Sequence, residues 1–174
     1  MSDVLPIALT ALRTRITRVF PDQIRTAVRS LTDEQIWWRP NESSNSIGNL
    51  VLHLSGSLDH YLNRALGGLE FNRDRPAEFN ERREIPKDQL LARFDAMVAN
   101  AERTFDGLTI ERLGEPSPEP AMYTIAFEDV LNAAMHLANH TGQIVWIAKM
   151  LDVHAVDEVW MRTHRAGGAW KPKA

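Results

Sequence analysis

Residues 125–151 read IAFEDVLNAAMHLANHTGQIVWIAKML, and their pattern decides the fold. Val130, Ala134, Leu137, Ala138, Ile144, Val145 and Ala148 recur at helical spacing and mark one apolar face. Asn132, His136, His140 and Gln143 fall along one flank of that face. A long amphipathic helix of this kind must bury its stripe against other helices. Working outward, the run from Gly114 to Pro120 is too rich in proline for a helix and reads as a connection. Upstream of it, Pro86-Lys87-Asp88 opens a third helix through Phe105, with Leu90, Leu91, Phe94, Met97, Val98 and Ala101 inside and Gly107 ending it.

A second helix is expected from Ser46 to about Leu66, stopped by Gly67-Gly68. Its apolar centre is Ile47, Leu50, Val51, Leu54, Leu58, Leu62 and Ala65, and a polar flank carries Asn49, His53, Ser57, His60 and Arg64. The first helix starts near Asp3 and runs past Val28, with a kink or a break expected at Phe20-Pro21. Ser30 to Gln35 ends it and holds the signals for one more short turn. Trp37 to Ser46 reads as a loop, with one of the adjacent Trp37 and Trp38 buried under the bundle end. The arginine-rich stretch Glu70 to Glu84 reads as a solvated loop. No repeat and no alternating strand pattern occurs, so the expectation is an all-α antiparallel four-helix bundle in a single domain, 1–174. Its core would be about 5–151 and its C-terminal extension 152–174, mobile at the tip.

The chain of 174 residues is long enough to bury a core without staples, and 44% hydrophobic with 25% charged residues is ordinary for a globular protein. A net charge of -3 offers no footprint for nucleic acid or an anionic membrane. The absence of cysteine excludes disulfides, thiolate-held zinc and a cysteine nucleophile, so any thiol would come with a co-substrate. Without a basic leader or a long apolar run, a cytoplasmic protein with no membrane partner is expected.

The chemistry lies in three histidines. His136 and His140 are four residues apart, so both side chains point from one helical face. His53 offers a third imidazole from another helix. Three nitrogen ligands with an open fourth position form the pattern of a catalytic metal site. Neutral imidazole suits Zn²⁺ or Ni²⁺, and each ring needs an acceptor for its other N–H, for which Asn49, Ser57, Asn132, Asn139 and Gln143 are candidates. No carboxylate stands out, and His136 to His140 lacks the glutamate of the zinc proteases. A histidine pair at this spacing also decorates many helix faces, so the residues alone leave both readings open. His60 lies about 10 Å along the helix from His53, too far to share its ion. His154 and His164 read as solvated, the arginines 73, 75, 82 and 83 as loop charges, and Met97, Met122, Met135, Met150 and Met161 as packing residues.

Leu31-Thr32-Asp33-Glu34-Gln35-Ile36-Trp37-Trp38-Arg39-Pro40, then Ser46-Ile47-Gly48-Asn49-Leu50-Val51-Leu52-His53, resembles the DinB/YfiT-like superfamily. His136-Leu137-Ala138-Asn139-His140-Thr141-Gly142-Gln143-Ile144 matches its second signature, H-x-x-x-H-x-G-Q-I. The resemblance spans roughly Leu5 to Leu151 and implies a bundle of mirrored up-and-down topology, a divalent metal, and His53, His136 and His140 as its ligands. Relatives include bacillithiol S-transferases and mycothiol-dependent maleylpyruvate isomerase, while other members have no assigned reaction. It therefore implies activation of a small-molecule thiol for transfer to an electrophile, and a homodimer. The alternatives are hydrolysis by a metal-bound water, or a non-catalytic module that binds a metal or a small molecule.

Overall fold

The computed structural model describes residues 4–119 and 122–155, which contain seven helices and no strand. Four are long: α1 (4–30), α3 (47–67), α5 (Lys87–Gly107) and α7 (Ala126–Leu151). Three are short: α2 (Asp33–Trp37), α4 (Arg75–Asn80) and α6 (Ile110–Leu113). Asp3 and the tail beyond Ala155, with Met161 and His164, lie outside the described residues.

Local chemistry accounts for most boundaries. Thr32 and Ser46 each form a reciprocal capping box, with Gln35 and Asn49, and so start α2 and α3. Gly68 takes φ 70 and ends α3, a left-handed position that a side chain would strain. The break expected at Pro21 does not occur. Instead α1 widens into a π-helical turn over Arg15–Val19 and resumes at Phe20. Pro21 then sits in the first turn of the renewed α segment, where its missing N–H and its ring are tolerated.

The four long helices pack as a closed square in which α1 and α3 each touch α5 and α7. Arg13 bonds Glu102 and Asp106, Arg25 bonds Asp95, and Lys87 Nζ reaches the Leu31 carbonyl, so α1 and α5 are antiparallel. The pair α3 and α5 is parallel, which corrects the expectation of a uniformly antiparallel bundle. At one end, the Trp37 ring lies against Gly48 while its Nε1 donates to the Ile85 carbonyl at 3.0 Å. At the other, Asn63 Nδ2 donates to the Met97 carbonyl at 3.2 Å and Thr104 sits against Gly67. Apolar periodicity specifies which face is buried but carries no direction, so a parallel neighbour is invisible to it.

The parallel pair imposes a return. A helix the length of α3 spans about 30 Å, and the connection 68–86 must travel back along it to start α5. It does so across the polar flank of α3, and α4 packs on that flank. The expected loop 70–84 therefore contains a helix and acts as a strap. Asp74 caps α4 by accepting from the Ala77 N–H at 3.0 Å, with Pro76 in the first turn.

One contiguous apolar core fills the square, with Ile24, Leu50, Leu54, Leu58, Leu62, Leu90, Phe94, Met97, Val130, Leu137 and Ile144 all at most 2% exposed. Trp37 is buried and Trp38 is not, as expected of that pair. Met97 packs inside, but Met122, Met135 and Met150 are exposed, against the expectation that they fill the core. For Met135 and Met150 the side of α7 they occupy faces away from α1 and α3. No helix among the described residues is long and apolar enough to cross a membrane.

Candidate metal centre

His53 projects from the middle of α3, and His136 and His140 project from successive turns of α7. The two helices pack against each other, and the three rings converge. One nitrogen from each ring lies within 4.8 Å of one nitrogen from each of the others. His53 Nε2 and His136 Nε2 stand 3.0 Å apart. His53 is 5% exposed, whereas His136 and His140 are half-buried, so the cluster is more open on the α7 side.

The strap closes the other side with groups that sequence reading missed. Glu78 of α4, 8% exposed, brings Oε2 to 2.9 Å from His53 Nδ1. Arg73 holds the same carboxylate with two donors, Nε to Oε1 at 2.7 Å and Nη2 to Oε2 at 2.8 Å. Burial opposes ionisation of Glu78, but hydrogen bonds from His53 and Arg73 outweigh it and keep its pKa below the ordinary value. An ionised carboxylate only accepts, so His53 must carry its proton on Nδ1. Arg73 Nη2, 3.2 Å from that nitrogen, is then a neighbour and not a donor to it. The consequence is a fixed tautomer, with the Nε2 lone pair of His53 turned toward His136.

His140 is set in the same way. Its Nδ1 donates to Gln143 Oε1 at 3.0 Å, one helical turn on, which leaves Nε2 free. Burial first, then the charges of His140 and His53, lower the His136 pKa to about 4. Burial also lowers that of His140, partly offset by the Gln143 bond. Both rings are thus neutral at pH 7, the form that binds a metal.

Of the five candidate partners for the histidines, Gln143 alone forms a hydrogen bond to one of them among the described residues. Asn49 instead ties down the strap, donating Nδ2 to the carbonyls of Glu78 and Glu81 at 3.0 and 3.2 Å. Ser57 is buried, Asn132 is half-buried, and Asn139 is exposed. Glu78 corrects the expectation that the site has no carboxylate. Asp74-Arg75-Pro76 preceding Glu78 was a legible helix start inside the supposed loop. Arg73 likewise is no solvated loop charge, its side chain being 8% exposed. Arg83 does behave as one, paired with Glu81 at the surface.

A family model described as the DinB superfamily matches residues 17–144, which include all three histidines and the strap. The chain belongs to the DinB superfamily. That superfamily is generally metal-binding, and a triad of imidazoles in this arrangement has the composition to hold an ion. Among solved structures, the DinB fold seen here is similar to a crystal structure of a conserved protein from Enterococcus faecalis. The TM-score is 0.65 at 15% identity, over 80% of this chain and 94% of that one, a likeness of fold. No curated protein matches the sequence.

Proposed function

We propose that this DinB protein is a metal-dependent enzyme, with His53, His136 and His140 as its ligands, that joins a small-molecule thiol to an electrophilic carbon. The observation that carries the reading is the presentation of the nitrogens. Two rings have Nδ1 committed to an acceptor, Glu78 or Gln143, and so offer Nε2 to a common point. A 3.0 Å spacing between two imidazole nitrogens suits a shared proton or a shared cation. A third neutral nitrogen within 4.8 Å favours the cation, because a proton needs only two. Zn²⁺ and Ni²⁺ fit a donor set of three imidazoles.

A bound divalent ion would supply the positive charge that lowers the pKa of a thiol at its open position. The chain itself supplies orientation and dryness. Glu78 and Gln143 fix two ring tautomers, and Arg73 keeps Glu78 ionised. The strap keeps water from the His53 side, so a thiol and an electrophile approach along α7. In the transfer, sulfur forms a bond to carbon, the leaving group departs with its electron pair, and the thiol proton goes to solvent.

Hydrolysis is the weaker reading for a specific reason. A metal-bound water needs a free general base, and the carboxylate beside the triad has both oxygens engaged by Arg73 and His53. The test begins with protein purified without chelator or histidine tag. We expect close to one equivalent of a divalent transition metal by mass spectrometry, and its loss in His136→Ala. The loaded protein should consume a thiol with an activated haloarene but not a panel of esters. Metal at trace level would end the reading.

For assembly we propose a homodimer. Leu131, Met135, Trp146 and Met150 form an exposed apolar strip on one side of α7. Sedimentation of Trp146→Glu against the parent chain checks it, with a shift to monomer expected.

A further inference from the structure

The strap over the His53 side is held by polar contacts and not by the core. Buried core residues stop at Leu62 and resume at Ile85, and no apolar side chain of residues 67–84 joins them. Its helix α4 has six residues, too few to stand alone in water. Its ends are tied through the backbone, the Leu69 N–H donating to the Asn63 carbonyl at 3.1 Å and the Ile85 carbonyl accepting from Trp37 Nε1. Between those ends, a few side chains fasten it to α3. Asn49 donates to the Glu78 and Glu81 carbonyls, and Glu78 accepts from His53. The Phe79 ring rests on the His53 ring with centroids 4.6 Å apart. Arg73 lies over the Tyr61 ring while it braces Glu78. Glu78 and Phe79 thus meet the same imidazole.

A segment with few buried apolar contacts opens locally, at a fraction of the global unfolding free energy. The buried Arg73–Glu78 pair adds little net hold, because desolvation of two charges offsets much of their attraction. The fit of the carboxylate is close. A Cβ at Gly56 would overlap Glu78 Oε1, so α3 carries a notch where the strap docks. Whether His53 presents a proton to that notch therefore weighs heavily in whether the strap is down.

A neutral imidazole has one proton for two nitrogens. With the strap down, that proton is on Nδ1 and is accepted by Glu78. With the strap lifted, Nδ1 loses this acceptor, and the proton can move to Nε2, which faces His136 Nε2 at 3.0 Å. A cation on Nε2 excludes that alternative. We propose that the strap 68–86 is a latch set by the ion: occupation of the triad keeps the His53 proton on Nδ1, which holds down Glu78 and with it α4 and Phe79, whereas the empty protein lifts the strap. This rests on His53, His136 and His140 as the ligands. The site is then regulated by its own ion, since only the loaded protein is sealed on the His53 side. Coupling of this kind is reciprocal, so the strap raises metal affinity by the factor by which the metal holds the strap.

Hydrogen-exchange mass spectrometry of the full chain, with and without zinc, tests the latch. In the zinc-free protein, amides of α4 should exchange at least about ten-fold faster than those around Leu54 in α3, as a locally opening segment does. Saturating zinc should slow the α4 amides about 10–100-fold, the range over which partners of ligating histidines change metal affinity. Glu78→Gln and Gly56→Ala should each lose most of that slowing while zinc still protects α3. The second variant displaces the carboxylate without altering a ligand or a charge. One equivalent of bound zinc with unaltered α4 exchange would overturn the latch and leave the ligands in place. Equal protection of α4 in the parent and both variants would do the same. Absence of zinc uptake would overturn both the latch and the metal reading.

Discussion

The groove between α3 and α7 holds two polar clusters about 10 Å apart, and they are built on opposite principles. Around His53 the buried charges are paired: Glu78 accepts from His53, Arg73 braces Glu78, and Asn49 pins the strap that delivers them. At the level of His60, its Nδ1, Arg64 Nε and both Asp129 carboxylate oxygens are buried without hydrogen-bond partners among the described residues. The first cluster is braced by the protein itself, which suits it to hold its rings in fixed geometry with their inward nitrogens left for an ion. The contrast teaches that burial along one groove is offset by pairing at one level and not at the other, with the rigid level being the one where an ion would sit.

The sharpest break of this contrast is His136→Ala, which should abolish stoichiometric metal binding, while Asp129→Asn leaves it intact. Metal analysis of the two variants side by side decides it. Next is Glu78→Ala. It strands the buried Arg73 charge and should cost about 3–5 kcal/mol in urea unfolding. Glu78→Gln, which keeps the shape, should lower metal affinity about 10–100-fold instead. Gly56→Ala offers an independent route to the same end, because a methyl group there would overlap Glu78 Oε1 and push the carboxylate from its seat. Competition with a zinc indicator reads both.

The metal-free protein should also weaken in acid. The His136 pKa is about 4 when folded and near the ordinary 6.5 when unfolded, so the unfolded chain binds more protons between these values. Stability present above pH 6.5 is therefore lost as the pH falls toward 4, and burial of His140 acts in the same direction. Thermal melts across that window check the sign. The smallest effect belongs to the second cluster. Relief of the unpartnered Asp129 carboxyl in Asp129→Asn should raise the melting temperature by about 2–4 °C for each kcal/mol recovered.

The sequence revealed much of the scaffold and half of the centre. The stripes of α3, α5 and α7, the Ser46 cap and the Gly68 stop are local signals, each set by neighbours within a turn or two. The facing of His136 and His140 follows from helical spacing in the same way. What escaped depends on chain direction. Glu78 and Arg73 meet His53 because α3 and α5 are parallel and the intervening chain must double back over α3, and no local pattern encodes that path. The charged run around Glu78 looked solvated because it lacks an apolar stripe. It is buried by pairing instead, Arg73 with Glu78. The methionines misled for a related reason: hydrophobicity reports a preference for burial and not which helix side finds a neighbour.

The doubling-back of 68–86 has a further consequence for how the molecule matures. Closing that long excursion costs chain entropy that is recovered only once α3 and α5 already stand side by side. The histidine pocket should therefore be finished last, on a scaffold that has already collapsed. Its chemistry can drift over evolutionary time by editing one overpass while the pillars beneath stay as they are.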